Sequence, residues 1–157
     1  MLHILKYYFI LLFFIISNNS FCNNFDMEVY MHVTDQRTIK FPDGNQYVQL
    51  EGSANWKDSL GDYGIINCLA TITTIESKES AVLHAFCEAK NQKNDKFWLE
   101  LNRTSDMEVG IGVATYVFGE GKYKKYKGIK CPYAVNYFED RMFYKQKCKL
   151  WKRFQKI

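Results

Sequence analysis

Hydrophobic and polar residues alternate along much of the chain with a period of two. Between Tyr47 and Lys57, the residues Val48, Leu50, Gly52, Ala54 and Trp56 fall on one face. Gln49, Glu51, Ser53, Asn55 and Lys57 fall on the other. That is the pattern of a half-buried β-strand. Lys96–Asn102 repeats it, with Phe97, Leu99 and Leu101 on one face. Met27–Val33, Ile65–Ile75, Ser80–Lys90, Met107–Phe118, Ile129–Phe138 and Arg141–Cys148 are rich in the branched and aromatic residues that strands favour. In Met107–Phe118 the apolar face reads as Val109, Ile111, Val113 and Val117. Polar breaks at Asp58–Asp62, Glu76–Glu79, Asn91–Asp95 and Arg103–Asp106 punctuate these runs. Eight strands with short connections and no long helix predict an all-β fold, an antiparallel up-and-down barrel, in which closure removes exposed sheet edges. Gly110 and Gly112 lie two apart inside one strand and predict a bend where a small barrel curls. The other reading of the pair is a wall cleared beside a ligand.

The ends of the chain break the alternation. One lysine precedes the unbroken apolar run Tyr7–Ile16, and polar Ser17–Ser20 follows it. That order matches a secretory signal peptide. The run is about half the ~20 residues that span a bilayer. Residues 1–22 are therefore assigned to the signal, 23–148 to the barrel and 149–157 to a tail. Cys22 opens a lipoprotein reading, although Phe21 stands where a lipobox carries a small side chain. Export to a periplasmic or extracellular space follows from either. The length of 157 residues supports one domain with a real core, and 17% aromatic residues exclude a disordered chain.

With Cys22 removed, Cys68, Cys87, Cys131 and Cys148 remain, an even count that in an exported chain implies two disulfides. Opposed residues in an antiparallel hairpin have a constant sum of residue numbers. Cys68 and Cys87 are symmetric about Ser77-Lys78, and Cys131 and Cys148 about Glu139-Asp140, both in polar breaks. The same symmetry opposes Ile72 to Leu83, Ala70 to Ala85, Val135 to Tyr144 and Tyr137 to Met142, apolar to apolar as cross-strand packing prefers. The expected bridges are Cys68–Cys87 and Cys131–Cys148. No CxxC spacing suggests a metal site.

Charge is unevenly distributed. Residues 23–120 carry a net charge of −7 and residues 121–157 a net charge of +10. Such asymmetry points to an anionic partner. For an exported chain that means lipid headgroups or an acidic polysaccharide, not nucleic acid. Lys122, Lys124, Lys125 and Lys127, interleaved with Tyr123 and Tyr126, form the densest patch. In the tail, Leu150, Trp151, Phe154 and Ile157 share one helical face, with Lys149, Lys152, Arg153 and Lys156 around it. This suits a short interfacial helix, or a cap on one end of the barrel.

Catalytic signatures are sparse. The chain contains no GxSxG and no HExxH. His32 and His84 read as surface or satisfied histidines. Glu51 and Glu100 lie on strand faces and could meet across a barrel, or form surface pairs. Gly119-Glu120-Gly121-Lys122-Tyr123 fails the P-loop on spacing and on Tyr123. No cofactor is expected.

That same GxGKY turn, followed by Gly128, resembles the turn of dirigent-like and allene-oxide-cyclase-like barrels. Together with Trp56, the run from Phe86-Cys87 to Phe97-Trp98 and Cys131-Pro132-Tyr133, it is similar to uncharacterised secreted barrels of marine alphaproteobacteria. The likeness spans roughly residues 48 to 148. It implies a barrel fold and export. Dirigent-like barrels include enzymes and non-enzymes, and the catalytic acids of the enzymes have no matching positions here.

Three functions follow as expectations. The first is a non-enzymatic module that binds a small apolar or aromatic ligand inside the barrel, lined by Trp56, Tyr116 and Tyr133. The second is an envelope protein docking on an anionic surface. The third is an isomerase or cyclase, which requires a buried carboxylate of raised pKa inside a pocket.

Overall fold

A computed structural model of the chain describes residues 23–75, 80–105 and 109–150. The expected signal peptide, Cys22 and the tail residues Lys152 and Arg153 lie outside the described residues. Eight strands close an antiparallel barrel in chain order: β1 (Asn23–Lys40), β2 (Gln46–Asp58), β3 (Tyr63–Ile75), β4 (Ser80–Asn91), β5 (Lys96–Ser105), β6 (Val109–Gly119), β7 (Lys130–Phe138) and β8 (Arg141–Leu150). β8 pairs back to β1 and leaves no open sheet. A 3-10 helix, Gly121–Tyr126, links β6 to β7.

The expected hairpin registers hold. Cys68 opposes Cys87, Ala70 opposes Ala85 and Ile72 opposes Leu83. Val135 opposes Tyr144 and Tyr137 opposes Met142. Cys68–Cys87 and Cys131–Cys148 are both disulfide-bonded, each across a single hairpin. Such bridges suit a chain that folds in an oxidising compartment.

Two local expectations are corrected. Arg103 lies in β5, not in a turn, and continues the inward series Phe97, Leu99, Leu101. In β6, Ile111 and Val113 face solvent, while Gly110, Gly112, Ala114 and Tyr116 face inward. The β6–β7 register runs unbroken through the glycine pair, from Val109–Asn136 to Thr115–Lys130. Gly112 gives its space to Tyr133: a Cβ there would stand 2.5 Å from the ring's Cζ.

The two ends of the barrel differ. The connections β2–β3, β4–β5 and β6–β7 gather at one end, and the 3-10 helix plugs it. Three residues per turn place Tyr123 and Tyr126 on one side of this helix, and both are buried. Phe97, fully buried, packs on Trp56 (5.2 Å between ring centroids), Tyr116 (5.3 Å) and Tyr123 (4.7 Å). Burial of each such ring contributes roughly 1.5–3 kcal/mol. Gly119, Gly121 and Gly128 serve the plug. A side chain at Gly119 would strike the Tyr123 backbone, and Gly121 and Gly128 have φ of 51° and 84°, where only glycine is at ease.

Candidate functional site

The opposite half of the barrel is not filled. Strand polarity brings Met27, Val29 and Met31 of β1, Leu83 and Ala85 of β4, and Leu99 and Leu101 of β5 around a common space. Tyr133, Val135, Tyr137, Met142 and Tyr144 of β7 and β8 complete the wall. The cavity measures about 70 Å³. Leu50, Ala70, Tyr137 and Met142 on its wall are only half-buried, so it reaches solvent at the end away from the plug. Its walls are almost wholly apolar, and methionines supply the adaptable part.

A polar floor separates this space from the aromatic packing. Gln146, fully buried, accepts a hydrogen bond from the Tyr144 hydroxyl (2.5 Å) and donates from Nε2 to the Tyr116 hydroxyl (3.2 Å). Burial pushes both phenols well above the ordinary tyrosine value, so they remain neutral donors and acceptors. Tyr133 packs on Tyr144 with ring centroids 4.8 Å apart. Burial also raises the Tyr133 phenol, to about 12, against the opposing pull of the Arg103 charge.

Arg103 is the charged residue in this wall that matters most. It is 4% exposed, lines the cavity, and lies with its guanidinium carbon 5.8 Å from the centre of the Tyr137 ring. Its Nε and Nη1 are buried and, among the described residues, have no hydrogen-bond partner. Reading Arg103 into a turn hid it. Extending the Phe97–Leu99–Leu101 alternation by one step would have found it.

The expected site residues separate in space. Tyr133 lines the cavity. Trp56 and Tyr116 lie in the packed half, Trp56 with its indole Nε1 donating to the Ile65 carbonyl (3.1 Å). They fill the interior beneath the cavity because Phe97, inserted between them, leaves no room for a guest. Glu51 and Glu100 do not meet across the interior. Both sit on outward strand positions, and Glu100 pairs with His84 at 3.0 Å. His32 pairs with Asp140 at 3.0 Å.

Among the described residues, the other buried charge lies at the plugged end. The Asp62 carboxylate, 5% exposed as a residue, pairs with Lys122 and accepts from the Tyr123 hydroxyl (3.0 Å) and Gln92 Nε2 (3.1 Å). Burial alone would raise its pKa, but the bonds from Lys122, Tyr123 and Gln92 outweigh it and hold it below 3.8. Lys122 of the expected anionic patch is therefore spent within the chain. Lys124, Lys125 and Lys127 are exposed and, among the described residues, make no ion pair. Among the described residues, Asp58 is the carboxyl group held above its ordinary value, chiefly by burial. It ends β2, accepting from Leu60 N and Asp62 N of the following turn (each 2.9 Å), away from the cavity. Those two bonds brace the β2–β3 turn.

No family model matches the chain, and no curated protein matches it in sequence. Solved structures do resemble it. A protein of unknown function from Clostridium acetobutylicum ATCC 824 superposes with a TM-score of 0.65 at 11% identity, over 82% of this chain and 99% of that one. A conserved protein of unknown function from Rhodopseudomonas palustris gives 0.64 at 9% identity, over 82% and 98%. At these identities the likeness is one of fold.

Proposed function

We propose that this chain is an exported, non-enzymatic barrel that binds a small apolar or aromatic ligand in its half-empty interior. The observation that carries this reading is the apolar cavity between Met31, Leu83, Ala85, Leu101 and Val135. A wall of this chemistry excludes water and accepts an apolar guest, because transferring apolar surface out of water is favourable. Its volume of about 70 Å³ limits the guest. Dry apolar cavities of roughly 150 Å³ take a benzene ring, so a smaller fragment is enclosed, with the remainder at the mouth. The test is an NMR titration with 1-pentanol, comparing the native chain with Ala85→Leu. Saturable shifts confined to cavity residues, and abolished by the added side chain, support the reading. Absence of saturable shifts in the native chain refutes it.

A second reading draws on Lys124, Lys125 and Lys127, which crown the plugged end without ion pairs among the described residues. We infer that this end contacts an anionic surface. Binding to vesicles containing phosphatidylserine should fall steeply with salt. Unchanged binding after neutralising all three lysines would rule this out.

A further inference from the structure

We propose that the ligand is a short-chain monocarboxylic acid whose carboxylate is held by Arg103. This rests on the cavity reading above and adds the chemistry of the head group. An arginine side chain is permanently charged and carries five N–H donors. Arg103 is 96% withdrawn from solvent, yet its Nε and Nη1 are without partners among the described residues. A buried charge without a counterion is costly, and native structures keep one where something else completes it. Among the described residues nothing in the wall does so: its other members are apolar residues, tyrosines and Glu51, and Glu51 is exposed and forms no ion pair with Arg103. The Tyr137 ring gives the guanidinium a face to lie against, which orients it without consuming a donor.

Geometry then selects the guest. β6 stands between Arg103 and Tyr133, and its Gly112 is register partner to both. With no side chain at 112, the Tyr133 ring lies over the glycine, and its phenol is close enough to Arg103 to feel the guanidinium charge. The arginine supplies charged donors and Tyr133, neutral at pH 7, a further donor. An oxyanion meets that set better than a neutral hydroxyl, because hydrogen bonds with one charged partner are about twice as strong as neutral ones. The rest of the ligand must be apolar, as Leu83, Ala85, Leu101 and Met31 are. The volume of about 70 Å³ encloses about three carbon atoms of that chain, and the remainder lies toward the open end.

The experiment is an NMR titration of the disulfide-bonded protein at pH 7 with pentanoate and with 1-pentanol, on the native chain and on Arg103→Met. The proposal predicts that pentanoate binds roughly 10-fold or more tighter than the alcohol. In Arg103→Met that preference disappears while the alcohol still binds. The native-chain comparison alone is decisive if the variant fails to fold. Equal binding of acid and alcohol to the native chain overturns the role of Arg103 and leaves the cavity reading standing. Binding of neither overturns both. If sodium sulfate or chloride displaces the pentanoate head group while the alcohol is unaffected, but pentanoate holds no advantage over sulfate, the arginine is an inorganic-anion site and the proposal fails. Thermal unfolding supplies a check that a structural arginine would not pass: Arg103→Met should unfold at or above the native temperature, because it removes a buried charge that has no counterion among the described residues.

Discussion

Replacing Tyr123 by Phe isolates one hydroxyl in the plugged end of the barrel. The ring keeps its packing on Phe97 and Tyr126, at centroid distances of 4.7 and 5.5 Å. What is lost is the O–H donated to the Asp62 carboxylate (3.0 Å) and the acceptor for Asn91 Nδ2 (3.3 Å). A hydrogen bond to a charged group contributes about 1.5–3 kcal/mol, and an orphaned buried donor costs about 1–3 kcal/mol. Asn91 is 3% exposed, so its amide has little access to water. The combined loss is roughly 3 kcal/mol. For a domain of this size each kcal/mol moves Tm by roughly 3–5 °C, so Tyr123→Phe should unfold about 10 °C lower. Calorimetry with the disulfides intact measures it, with Tyr63→Phe as the control, since Tyr63 is 60% exposed. A drop of only about 1 °C, within the usual range for surface substitutions, would show that the hydroxyl does not bridge the buried carboxylate.

Three further outcomes follow from the same physics. Each disulfide closes a hairpin, with sequence separations of 19 and 17, so Cys131→Ala with Cys148→Ala should lose about 3 kcal/mol in urea unfolding. The Asp62 carboxyl is depressed in the folded state, so its contribution is complete above the ordinary value of 3.8. It is lost as pH falls through the lower folded value; Asp62→Asn should flatten that acid limb of the stability curve. Asp58 is shifted the other way, so its ionised form is disfavoured by folding. Asp58→Asn, which keeps the carbonyl acceptor for Leu60 N and Asp62 N, should be as stable as the native chain at pH 7 or more so.

The hairpin registers were legible because two independent signals coincide in them. Cysteine symmetry and apolar cross-strand pairs pick the same centres, Ser77-Lys78 and Glu139-Asp140. Beyond Val33 the pattern is silent. β1 runs on to Lys40 past an irregularity at Val33/Asp35, and β8 partners it only as far as His32–Arg141. Thr34–Lys40 thus pairs with β2 beyond the barrel wall, exposed on both sides, so its sequence needs no alternation. β6 misled because its outward side chains are the large ones. Tyr133 occupies the space its inward side chains would fill, so glycine and alanine face the core there. The lysine-rich connection read as surface charge because its polar majority hid a three-residue period, Tyr123 to Tyr126. Arg103 was obscured by the habit of placing arginine outside. An inward arginine is a break in local consistency, and such breaks concentrate at functional sites.

The proposed function requires the barrel interior away from the plug to be a dry space open to a guest. A crystal structure under xenon pressure tests it without assuming a ligand, since xenon enters empty apolar cavities and avoids packed cores. A xenon peak is expected among Met31, Leu83, Ala85 and Leu101, and none between Trp56, Phe97 and Tyr116. An interior in which Met27, Met31 and Met142 fill the space and exclude xenon would contradict it.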